Sequence, residues 1–194
     1  MDSLLLHKSL NQVKSILMPL QSLKLPASVF TKLKRKIRWL ISNNIIPPSK
    51  KSTASYDLGF CMHFQIVPKK EIISLNFGSP EGIRVFIQSG INVIAAADFL
   101  FTGKKLKLSY VHQGHGLKLL LAMLNKLEKK YAGDKEICHA ELIYFLLAPG
   151  PYILIKSNKK RQFYHSTGEK LVAVSYEGLK NQVNKILTQH FKTN

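Results

Sequence analysis

The amino-acid sequence predicts an α+β fold: a mixed, mostly antiparallel sheet flanked by helices and preceded by a basic helical arm. Three observations carry this expectation. Short apolar, β-rich runs separated by Gly, Pro and Ser recur from Leu58 onward. One amphipathic stretch interrupts them, with Leu117, Leu120, Leu121, Leu124 and Leu127 at spacings of three and four. Residues 1–56 read instead as helix and linker, with ten Lys or Arg against one acid, Asp2.

Within that arm, Leu6, Leu10, Val13 and Leu17 fall at helical spacing over residues 3–18, and Pro19 ends the pattern. A second helix is expected after Pro26 with Ser28 as its N-cap. It gathers Phe30, Leu33, Ile37, Leu40 and Ile41 on one face and Lys32, Lys34, Arg35, Lys36 and Arg38 on the other. The run NNIIPPSKKSTAS over 43–55 breaks structure, which divides the chain into an arm, 1–56, and an α+β domain, 57–194.

In the domain, strands are expected over 58–67, 71–77, 83–88, 91–101 and 106–111, then a helix over 115–131. Apolar runs at 137–147 and 152–156 follow, divided by APGP, then a short basic helix over 157–166, a strand over 170–175 and a last helix from Glu177 to about Phe191. No internal repeat is evident in this succession.

Composition narrows the functional classes. No apolar run reaches the roughly 18 to 20 residues that span a bilayer as a helix, and the start of the chain lacks a secretory signal's pattern. Two cysteines, Cys61 and Cys138, suit a reducing compartment, and without a C-x-x-C pair no metal site is expected. A cytoplasmic protein is expected, peripheral to a membrane if the arm binds lipid. Lysine and arginine number 29 against 11 acids, a net charge of +18. Such a field attracts anionic partners: a membrane surface, nucleic acid or an acidic protein. Self-association is also open.

Chemistry concentrates where SYVHQGHGLKLLL turns from strand to helix. A helix start behind a glycine turn offers unpaired N–H groups to a phosphate, and Gly114 and Gly116 let the backbone approach it. The alternative is a plain tight turn. Residues Val111 to Leu121 resemble the acyl-CoA-binding segment of the GNAT superfamily of N-acetyltransferases, with Gln113, Gly114, Gly116 and the Leu120-Leu121 pair matching and Lys118 standing where Gly or Ala is usual. Ser157 to Glu169 resembles that superfamily's later signature through Phe163, Tyr164 and Gly168, with Asn158 one place late and Lys160 and Glu169 departing from it.

The resemblance covers about residues 91–175 and implies an acyltransferase that uses acetyl-CoA or a longer acyl-CoA. The cofactor would lie on Val111, Gln113, Gly114, His115, Gly116, Leu117 and Lys118, in a cleft between splayed strands, and Tyr164 would protonate the leaving thiolate. A base for the attacking amine is sought among Asp98, His112 and Glu141. The rival reading is a non-enzymatic basic protein that binds RNA or an anionic membrane through the arm's cations and a second patch, Lys159, Lys160 and Arg161.

Overall fold

The computed structural model describes residues 20–46, 56–67, 79–90, 92–103, 105–134, 136–145, 150–167 and 170–192. The expected helix over 3–18, the strand over 71–77, the linker over 47–55 and Gly168 lie outside the described residues. The described chain forms β1 (Leu20–Gln21), α1 (Ala27–Ser42), β2 (Tyr56–Val67), β3 (Gly82–Ser89), β4 (Asn92–Thr102) and β5 (Lys105–His112). Then come α2 (Gly114–Tyr131), β6 (Cys138–Phe145), β7 (Tyr152–Lys156), β8 (Arg161–Thr167), β9 (Lys170–Val174) and α3 (Tyr176–Lys192).

The fold is α+β, with a mixed, mostly antiparallel sheet in the order β5-β4-β3-β2-β6-β7-β8-β9 and β1 pairing with β6. Two antiparallel meanders, β2 to β5 and β6 to β9, meet at the parallel pair β2–β6, and each meander runs into a helix. Parallel neighbours need a long crossover, which α2 supplies by crossing the sheet from its β5 edge. The succession therefore does contain a structural repeat. The repeat is one of connectivity: each half is a four-strand meander that runs outward from the β2–β6 pair into a helix, α2 on one face of the sheet and α3 on the other.

The helices cover both faces. Leu117, Leu120, Met123, Leu124 and Leu127 of α2 pack on one face against Phe60, Met62, Phe64, Phe86, Leu142 and Ile153. The opposite face holds Leu33, Ile37 and Leu40 of α1 against Ile83, Val85, Ile87, Ala95, Ala97 and Phe99. Leu179 of α3 covers that same face farther along, with Val67, Ile143, Leu154 and Phe163. Covered on both sides, β3 reads GIRVFIQS without polar alternation. At Gly82 a Cβ would collide with the Phe99 carbonyl oxygen, so glycine permits the close approach of β3 to β4.

Two expectations are corrected, and the seat of residues 20–46 is on the domain: β1 lies in the sheet and α1 seals one face of it. Burying Leu33, Ile37 and Leu40 contributes roughly 1.5 to 3 kcal/mol each, which a free arm would forgo. The N-cap of α1 is Pro26 rather than Ser28, and it makes no side-chain capping bond. Arg161–Thr167 is a strand and not a helix, since Phe163 and Tyr164 fill opposite faces of the sheet with the twofold alternation of a strand.

Candidate functional site at the β5–α2 junction

The chain leaves β5, the outermost of the described strands, and enters α2 at the junction that the sequence singles out. A bulge at Ser109, between the pairs Phe99–Leu108 and Asp98–Tyr110, turns Tyr110 and His112 toward the face that carries Asp98. There Arg84 of β3 grips the Asp98 carboxylate with Nε at 2.6 Å and Nη2 at 2.7 Å. His112 Nε2 lies 2.7 Å from Asp98 Oδ2 and 2.5 Å from Arg84 Nη2, and it can fill one role at a time: donor to the carboxylate or acceptor from the guanidinium. The Arg84 guanidinium also faces the Tyr144 ring at 5.6 Å.

Burial alone would raise the Asp98 pKa, but the hydrogen bonds from Arg84 and His112 and the charge of Arg84 outweigh it and hold the carboxyl below its usual range. Asp98 is thus a fixed anion, with both oxygens committed to its neighbours. Its product is orientation: it pins His112, whose imidazole centroid lies 4.6 Å from the Tyr110 ring. Tyr110 stands 61% exposed above this buried support.

Gln113 is the N-cap of α2 in extended conformation, and its side-chain Nε2 donates to the Ile45 carbonyl at 2.8 Å, tying the turn after α1 to the junction. Gly114 has φ +70°, a conformation that favours glycine, so the first glycine serves the turn itself. At Gly114 and Gly116 alike a Cβ would meet no heavy atom within 4 Å. The first turn of α2 holds no acid, while His115 and Lys118 are exposed and Leu117 points into the core. Val111 is half-buried on the opposite face, against the α1 cluster.

The remaining nominees do not join this cluster. Tyr164 is 2% exposed beneath α2, with its hydroxyl 2.7 Å from that of Tyr131. It lies five strands from Asp98 in the sheet order, roughly 24 Å at the usual strand spacing of about 4.8 Å. Glu141 is on the opposite face and pairs with Lys156 at 2.6 Å. It lines a hollow of about 290 Å³ with His63 and His139, where β2 and β6 part to admit β1. The splayed parallel strands are thus β2 and β6, and among the described residues β5 has a sheet neighbour on one side.

Of the surface cations, Lys32, Arg35, Lys36 and Arg38 are exposed on α1, and Lys34 lies 4.9 Å over the Phe30 ring. Lys159 pairs with Glu136 at 3.1 Å, and Lys160 and Arg161 are exposed beside it. Trp39 is 57% exposed on the cationic side of α1. Sequence reasoning missed Arg84 and Tyr110. The signal for Arg84 was a lone arginine inside an apolar strand opposite a lone aspartate inside the next, since buried charges occur in pairs. In comparisons with family models, curated proteins and solved structures, nothing matches this chain.

Proposed function

We propose that this chain is a non-enzymatic binding protein for single-stranded RNA, with the β5–α2 junction as its principal contact. The observation that carries the reading is the exposed Tyr110, braced from below by the Arg84–Asp98–His112 network and flanked by Lys105, Lys107 and the acid-free first turn of α2 with Lys118. A single strand offers phosphates to the cations and unstacked bases to the ring, and stacking contributes about 1 to 3 kcal/mol per base. Trp39 among Arg35, Lys36 and Arg38 repeats that combination on α1. Lipid binding is less supported, because the apolar face of α1 is covered by the sheet and does not face outward.

Fluorescence anisotropy with a labelled single-stranded RNA and a duplex of equal length tests this. Preference for the single strand, and a loss of about tenfold in affinity with Tyr110→Ala, is expected. Equal affinity for both forms, indifferent to Tyr110, would reduce the interaction to charge alone.

A second reading rests on the same turn. The open space at Gly114 and Gly116, with the Asp98–His112 pair nearby, supports acyl-CoA binding of the GNAT type. The buried Tyr164, distant from that turn, gives it no thiolate acid. Calorimetric titration with acetyl-CoA at moderate and high salt, with ATP as a polyanion control, separates the two: salt-resistant binding that discriminates against ATP would favour the enzyme.

A further inference from the structure

The repeated connectivity of the two meanders gives the second half an edge strand and helix, β9 and α3, that follow in order as β5 and α2 do in the first. Similar residues follow in the same order, at different spacings. The first edge runs Lys105-Leu106, then Ser109-Tyr110, then Gly116-Leu117-Lys118; the second runs Lys170-Leu171, then Ser175-Tyr176, then Gly178-Leu179-Lys180. Leu117 and Leu179 are both buried, each anchoring its helix to its own face of the sheet. Tyr110 and Tyr176 are both exposed, Tyr176 at 46%. Over Lys170 to Lys192, Lys170, Lys180, Lys185 and Lys192 stand against Glu177 alone.

We propose that this second edge, centred on Tyr176 with Lys170 and Lys180, is a further contact for single-stranded RNA, so that one chain holds two stretches of strand at opposite ends of its sheet. The inference rests on the RNA reading of the first junction. Charge complementarity and an exposed aromatic recur together at the second strand-to-helix junction, with Tyr176 opening α3 where Tyr110 lies within β5, and the surrounding cations favour a polyanion over a neutral partner. Glu177 in the first turn of α3 opposes a phosphate there, which makes this the weaker contact, by about three- to tenfold. The outer edges are seven strand spacings apart, roughly 34 Å, beyond the reach of a stacked tetranucleotide of about 14 Å.

The test is an NMR titration of the full chain with tetrauridylate, following the backbone amides of residues 110–118 and 176–180 as two independent reporters. Both sets are expected to shift, the second saturating at higher concentration, and Tyr176→Ala or Lys180→Glu should abolish the second set while leaving the first intact. Shifts at the first junction alone, or a second set indifferent to both substitutions, would overturn this inference and leave the RNA reading standing. No shift at either junction would overturn both.

Discussion

Arg84 holds Asp98 through two parallel hydrogen bonds across the β3–β4 ladder, one charge in the buried middle of each strand. Removing one partner strands the other in the core. Asp98→Ala should therefore destabilise the fold by about 3 to 5 kcal/mol, whereas the paired change Arg84→Met with Asp98→Leu should recover most of that loss. Urea denaturation of the two variants beside the parent chain measures it.

The same carboxylate gives the fold an acid limit. Its folded pKa lies below the ordinary 3.8, so its contribution is present above 3.8 and is lost as pH falls through the folded value. Replacing the pair with Met and Leu should flatten the stability profile below about pH 4.

His63 acts in a different window. Burial holds its pKa below 6.5, against the opposing pull of Glu141, so the unfolded chain binds the extra proton first. Stability should fall as pH drops below 6.5 and level off below the folded value. His63→Gln should remove that slope, read as the urea midpoint at pH near 7.5 and near 5.5.

The two glycines of the junction should respond in opposite directions. Gly116→Ala meets open space inside a helix and should stabilise by about 0.5 to 1 kcal/mol. Gly114→Ala places a side chain at φ +70° and should destabilise by about 1 kcal/mol or more. Thermal melts of both variants decide whether the glycines serve the turn or a ligand.

Tyr164 separates structure from catalysis. Its hydroxyl partners Tyr131, whose own pKa is raised by burial and by that bond. Tyr164→Phe should lower stability by about 1 to 3 kcal/mol through the orphaned Tyr131 hydroxyl and leave RNA affinity unchanged. A lost acyl transfer with stability intact would instead restore its catalytic role.

What the sequence determined by itself was local. Leucine spacing located α2 to within a residue, and the β-rich runs located most described strands, because burial of one stripe or two faces leaves a periodic trace. Ser157 to Ser166 was misjudged because a run of cations reads as solvated helix, while two buried aromatics inside it, Phe163 and Tyr164, decide for a strand. At the junction, the sequence nominates Asp98, His112 and the glycine turn, but shows neither their partner Arg84 nor the exposure of Tyr110. Those depended on which strands lie side by side. The tertiary structure alone decided that β5 is outermost among the described strands, that β2 parts from β6 around β1, and that α1 is a wall of the core. Pairing between distant strands is selected by the joint packing of both faces, and a linear pattern records only one strand's share of it.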